Sequence, residues 1–246
     1  MSLALIFKVK ELKFIKNFKI CYKFVKSLNS HLSKFNACFG KYFKISPKSQ
    51  NQRRKMKVLI LDGGKNFGSS GGKLNTLLCD VASSELEAKG YEVIRTKIDD
   101  GYEVESEVQK LIQSDIIIFQ YPGWWMSAPW IVKKYIDEVL TAAAAHLIKS
   151  DGRHASDPEH GYGTGGIAVN KKYMISTTWN APITAFNDKN EFFEGRGCDG
   201  VTFTMHKAME YCGMKALPSF MCNDVEKNPK VDEYVNAYRA HIRANF

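Results

Sequence analysis

The first 55 residues are almost free of acid. They contain twelve Lys, Arg53 and Arg54, and only Glu11 to oppose them. That segment carries +13, which leaves −4 of the chain's overall +9 for residues 56–246. A nucleic-acid function argued from net charge would therefore rest on the N-terminal segment alone, and none is expected for the remainder. Long apolar runs are missing too. None approaches the roughly 20 residues that cross a bilayer, so no transmembrane segment is expected. No secretory core precedes the six cysteines, Cys21, Cys38, Cys79, Cys198, Cys212 and Cys222, and no two of them have CxxC spacing. Close zinc and redox motifs are thereby excluded, and free thiols in a reducing, cytoplasmic compartment are the simplest reading.

Several chemical signatures are absent as well. The loop after the first strand carries no GxGxxG dinucleotide fingerprint. The Gly-rich run DGGKNFGSSGGKLN is not a Walker A loop: the spacing from Gly68 to Lys73 is wrong, and Leu74 stands where Ser or Thr would hold magnesium. No nucleophile elbow is visible, which argues against acyl transfer. Asp151, His154, Asp157, His160 and Tyr162 crowd one loop, but their spacing matches no common metal motif. His206 falls within a predicted helix and reads as a satisfied structural histidine.

Three readings compete for residues 1–55. The segment is basic and poor in acid, as a transit peptide is, which would give an organellar location. Leu12, Ile15, Phe18 and Tyr22 recur at helical spacing between lysines, as in an interfacial helix. The favoured reading is that this extension is disordered or not native, and that the working domain spans residues 56–246 from Met56.

From Met56 the pattern becomes regular. Lys57–Leu61, Tyr91–Lys97, Asp115–Gln120, Lys172–Thr178 and Ala216–Cys222 read as strands. Helices are predicted from Leu74 to Gly90, over Glu103–Gln113, Pro129–Leu140 and Thr202–Cys212, and from Pro229 onward. Strands alternating with helices give an α/β, flavodoxin-like three-layer fold with a five-stranded parallel sheet in the order 2-1-3-4-5. Residues 141–170 and 179–200 are long irregular stretches, and such stretches inside a compact domain are usually functional.

Ligands of open α/β sheets bind outside the carboxyl ends of the strands. Three loops leave those ends here. The first, Asp62–Gly72, runs into a helix N-terminus, where free N–H groups, the Ser70 hydroxyl and the close approach allowed by Gly71 and Gly72 suit a phosphate. The second, YPGWWMSAPW, crowds Trp124, Trp125 and Trp130 among Gly and Pro. The third, TTWNAP, sets Trp179 beside Asn180. Any one of these tryptophans fits ordinary core packing. Two such loops at one sheet edge point instead to a planar conjugated ligand.

The segments YPGWWMSAPWIVKKYID, GYGTGG (Gly161–Gly166), TTWNAP and LPSFMCNDV (Leu217–Val225) resemble the modulator-of-drug-activity-B proteins, NAD(P)H:quinone oxidoreductases of flavodoxin-like fold. The similarity runs from Met56 to Arg243. It implies a non-covalent FAD whose diphosphate lies near Ser70, Gly72, Leu74 and Asn75. Its ring would rest against Pro122, Gly123, Trp124 and Trp125, with Thr178, Trp179, Asn180 and Ala181 along the other edge. Tyr162 is carried over as a cofactor contact and is the one catalytic candidate. The resemblance also implies NADPH or NADH as donor, a quinone as acceptor, hydride relay through the flavin, and a homodimer with its sites at the subunit junction.

The chain departs from the family in two places. Ala142–Ala145 replaces a Gly-His-Gly, and Asp62-Gly63-Gly64 replaces Asn-Gly-Ala, which raises the prospect of a carboxylate facing the diphosphate. Two other functions remain open on this fold: a flavodoxin-type FMN electron carrier and a flavin-free binding protein.

Overall fold

The computed structural model describes residues 54–246, so the three readings of the basic N-terminal segment fall outside the described residues. The elements are β1 (Lys57–Asp62), α1 (Lys73–Ala88), β2 (Glu92–Lys97), α2 (Val104–Gln113), β3 (Ile116–Pro122), α3 (Trp130–Ala142) and α4 (Ala144–Leu147). They continue through β4 (Lys172–Thr178), α5 (Ile183–Asn187), α6 (Gly197–Val201), α7 (Phe203–Tyr211), β5 (Lys215–Ala216), β6 (Phe220–Cys222) and α8 (Val231–Asn245).

All strand pairs are parallel, in the order β2-β1-β3-β4-β5, with β6 also pairing with β4. The expected topology is therefore present, but the fifth strand is broken in two. Leu217 still donates its N–H to the Tyr173 carbonyl at 2.7 Å, but between the Tyr173–Ala216 and Ser176–Phe220 pairs this strand carries one residue more than β4. The ladder lapses there and resumes where Phe220 pairs with Ser176.

Alternation along the strands sorts the core onto two faces. Val58 and Ile60 of β1, Ile116 and Ile118 of β3, and Met174 of β4 face one way, against Leu78, Val81 and Leu86 of α1 and Tyr238 and Ile242 of α8. Leu59, Leu61, Ile117, Phe119, Tyr173 and Ile175 face the other way, against Val108 and Leu111 of α2, Ile131 to Val139 of α3, and Met205 and Met209 of α7. Each such side chain contributes about 1.5–3 kcal/mol when fully buried.

The second face also encloses a charge. Glu107 is buried and accepts hydrogen bonds from the Tyr135 hydroxyl (2.8 Å), the Thr96 hydroxyl (2.8 Å) and Lys110 (2.5 Å), which together replace its hydration.

The 141–170 connection is anchored by its glycines. A Cβ on Gly165 would lie 2.0 Å from the Ser150 carbonyl oxygen, and one on Gly166 would lie 2.2 Å from the Gly213 nitrogen. The GYGTGG motif thus serves close backbone packing against α7 and its own loop. Gly166→Ala, which must push backbone against backbone, is expected to cost about 2–3 kcal/mol. Urea unfolding checks this; an unchanged midpoint would show that the contact relaxes freely.

Candidate functional site

Two grooves open at the carboxyl ends of the strands and meet at a common lip. The first, about 260 Å³, is bounded by residues 69–75, by Pro122, Gly123 and Trp124, by Thr178 and Asn180, and by Val225 and Glu226. It brings together nine of the residues singled out in the sequence: Ser70, Gly72, Leu74, Asn75, Pro122, Gly123, Trp124, Thr178 and Asn180. The second, about 310 Å³, shares Gly123 and Asn180 and adds Trp125, Met126, Trp179, Ala181, Ala185, Phe192 and Phe193. The first groove is polar and the second is aromatic.

The polar groove ends at α1. Its N-cap, Gly72, has φ +66°, supplies no capping side chain, and is followed by no acidic residue in the first turn. Thr76 is bonded back to the Gly72 carbonyl, while the N–H groups of Lys73, Leu74 and Asn75 find no partner among the described residues. Unsatisfied amides at the positive end of a 16-residue helix form an anion site.

The side chain of Asn75 points the other way. It is buried, donating to Thr178 Oγ1 at 3.2 Å and accepting from Gln120 Nε2 at 2.8 Å, so it ties α1 to β3 and β4. Asp62 behaves similarly. Rather than facing the anion site, its carboxylate is buried and accepts from Gly64 N (2.9 Å) and Thr76 Oγ1 (2.7 Å). The expected repulsion of a diphosphate by Asp62 therefore gives way to a role in shaping the loop.

Each of the first two loops closes on a tight turn. Phe67 and Ser70 exchange backbone bonds at 3.0 Å, and Trp124 and Ser127 do so at 2.8 and 3.0 Å. The rings of Phe67 and Trp124 then meet at 5.3 Å between centroids, joining the loops. Trp125 and Met126, at the tip of the second turn, both have positive φ (44° and 64°), an uncommon and strained state for side chains of this size. Trp125 is consequently 96% exposed.

Trp179 is different. It is buried, its indole N–H donates to Thr177 Oγ1 at 3.0 Å, and its ring packs edge-on to Phe186 at 5.3 Å. It lies directly beneath Gly123, where a Cβ would come within 2.4 Å of the indole. The tryptophans are thus not equivalent: Trp124 borders the polar groove, Trp125 projects from the rim, and Trp179 is a floor.

Tyr162 is not brought to either groove. With Ile136, Leu140 and Tyr211 it lines a separate cleft of about 580 Å³, and its ring lies 5.6 Å from that of Tyr211 and 5.8 Å from the Arg153 guanidinium. His206 is a satisfied structural residue, bonded through Nδ1 to the Tyr173 hydroxyl at 2.9 Å. Sequence reasoning missed Lys73 and Glu226 in the first groove and Met126, Phe192 and Phe193 in the second. The Phe192–Phe193 pair inside an irregular stretch was a signal that could have found the aromatic wall.

A family model described as flavodoxin-like fold matches residues 56–245. The chain belongs to the flavodoxin-like fold family. Within it, the chain is 51% identical over 191 residues to the NADPH:quinone oxidoreductase MdaB of Haemophilus influenzae, covering 78% of this chain and 100% of that one. This places it in the modulator-of-drug-activity-B group, in agreement with the motifs. An uncharacterised protein of Schizosaccharomyces pombe is 48% identical over 191 residues, covering 78% of this chain and 97% of that one. The flavodoxin-like fold is shared with a Klebsiella pneumoniae protein provisionally assigned as a quinone reductase (TM-score 0.62, 21% identity, 77% of this chain and 85% of that one). It is shared also with general stress protein 14 of Treponema denticola, solved with FMN (TM-score 0.51, 16% identity, 77% and 98% covered).

Burial pushes the Asp62 carboxyl above the usual carboxylate range, against the lowering effect of its Thr76 and Gly64 bonds. Its ionised form is thus penalised in the folded state. The penalty is absent below the unfolded pKa of about 3.9 and is complete once pH has passed the raised folded value. Asn could keep both bonds, accepting from Gly64 N and donating to Thr76 Oγ1. Asp62→Asn is expected to be more stable than the parent at pH 7, with the gain gone near pH 3 (roughly a unit below the reference carboxylate). Urea melts at both values decide it; a variant less stable at pH 7 would show that the ionised form is net favoured.

Proposed function

We propose that this protein is an NAD(P)H:quinone oxidoreductase that holds FAD across the two grooves. The observation that carries the reading is their junction at Gly123 and Asn180. A site of free amides for phosphate runs into a slot of aromatic rings for a planar group, as a flavin nucleotide requires. The fit is supported by the donor set at α1, which is uncapped and free of acid in its first turn. The relative of Haemophilus influenzae, matched over its full length, supports the reaction class.

In this reading the amides of Lys73, Leu74 and Asn75, with the Ser70 hydroxyl, bind the phosphates, and Gly72 permits their approach. Pro122 to Trp125 and Thr178 to Ala181 border the ring. Asn180, exposed at the shared lip, offers an amide to the ring's polar edge. Trp179 acts from below by fixing Gly123. Bound there, the flavin would take an electron pair from NADPH or NADH and pass it to a quinone. The aromatic slot excludes water and admits flat apolar acceptors.

The functional unit is a homodimer. Trp125, Met126, Phe192 and Trp130 are exposed apolar residues around or near the slot (96%, 52%, 70% and 59%). Such a rim is unusual on a monomer and suits a second copy. Tyr162, remote from its own grooves, would then serve the neighbouring subunit's cofactor. All four described cysteines are free, and burial pushes Cys198 and Cys222 up to about 12, in keeping with inert thiols in the cytoplasm.

The purified protein is expected to show a flavin spectrum that bleaches on anaerobic addition of NADPH and recovers with menadione. A flavin that stays oxidised would remove the assignment, and a colourless protein that refuses both flavins would favour a binding role. Trp125→Ala is expected to raise the dimer dissociation constant by about thirtyfold or more, the scale of a central interface anchor. Sedimentation equilibrium reads this, and an unchanged constant would take Trp125 out of the interface.

A further inference from the structure

The polar groove has two lips of opposite charge. Lys73, the first residue of α1, and Glu226 both border it, and both are exposed. Neither forms an ion pair among the described residues. Glu226 is nevertheless well placed by its backbone. Its neighbour Val225 donates to the Trp179 carbonyl at 3.2 Å, and Asp224 donates to the Ala181 carbonyl at 3.1 Å. The turn passes through Asp224 at φ 56° and is closed by Asn228 N to Asp224 O at 3.2 Å. Tyr234 of α8 donates its hydroxyl to the Asn223 carbonyl at 2.8 Å. The segment is therefore pinned to the loop after β4, and it places Glu226 at the border of a groove that ends at the N-terminus of α1.

A carboxylate facing an anion site is unfavourable for a ligand that ends in phosphate. It is favourable for one that continues past the phosphate to hydroxyl donors. We infer that Glu226 selects a flavin dinucleotide over a mononucleotide, accepting hydrogen bonds from the ribose diol of an adenosine half and repelling a terminal phosphate. This rests on the proposed flavin reading and deepens it. The physics has two parts. A phosphomonoester and a diphosphate both carry close to two negative charges at neutral pH, so the repulsion acts on both flavins and only the dinucleotide offsets it with hydroxyl donors. An ionised acceptor also makes stronger hydrogen bonds to hydroxyls than a neutral one. Lys73 attracts either phosphate form and so provides affinity without this choice.

The test strips the flavin from the full chain and measures the affinity of the apoprotein for FAD and for FMN by quenching of flavin fluorescence, with no turnover involved. For Glu226→Gln the ratio of FAD to FMN affinity should fall by about tenfold, the scale of one charge-assisted bond. For Glu226→Lys it should fall further, mainly through tighter FMN. Lys73→Gln should weaken both flavins and leave the ratio in place. Glu226 is exposed and outside the core, so these variants are expected to fold, which circular dichroism checks. If both flavins bind and the ratio is the same in wild type and Glu226→Gln, the inference is overturned and the flavin reading stands. If the wild-type apoprotein binds neither flavin, both fail.

Discussion

The contact between Gly123 and the Trp179 indole governs the arrangement of the site. The two residues follow adjacent parallel strands, and Gly123 N donates to the Thr178 carbonyl at 2.9 Å, extending the ladder one step past the sheet. An indole fits beneath this step because Gly123 has no side chain; a Cβ would overlap the ring at 2.4 Å. Through Trp179 the loop after β3 is fixed to Phe186 and Phe193, and through Val225 it is fixed to the segment that carries Glu226. The polar groove, the aromatic slot and their shared lip all take their positions from this pair.

Behind the lip lies a buried polar chain, Gln120 to Asn75 to Thr178, that joins the first helix to two strands. Its members are buried and hydrogen-bonded to one another, so the chain fixes the helix N-terminus relative to the sheet. Asp62 adds a second tie through Thr76 of the same helix. The anion site is in this way held by side chains that never face it.

The fold was legible because strand and helix periodicities differ and the central strands β1 and β3 are near-continuous apolar runs. Lys172–Thr178 appears at the predicted bounds, and the other main strands shift by a residue or two. Pro218 was visible as a proline, but the extra residue that interrupts the ladder beside it shows only in the register with β4. Site residues at strand tips were legible for the same reason as the strands. The role of each was not. A tryptophan reads alike whether it is a floor, a wall or a projecting rim, and only packing separated Trp179 from Trp124 and Trp125. The orientation of Asp62 was not legible, because sequence cannot tell which way a carboxylate at a strand end turns. The place of Tyr162 was not legible, since its cleft is lined by residues of α3, α4 and α7, far from it in sequence.

The interrupted last strand has a consequence for how copies of the protein meet. A long, continuous border of unpaired amides would invite another chain to add itself by strand pairing, without limit. Here that border consists of two short pieces separated by Pro218, whose carbonyl is taken by His241 at 2.9 Å. Open-ended stacking into fibres is discouraged on that side of the molecule.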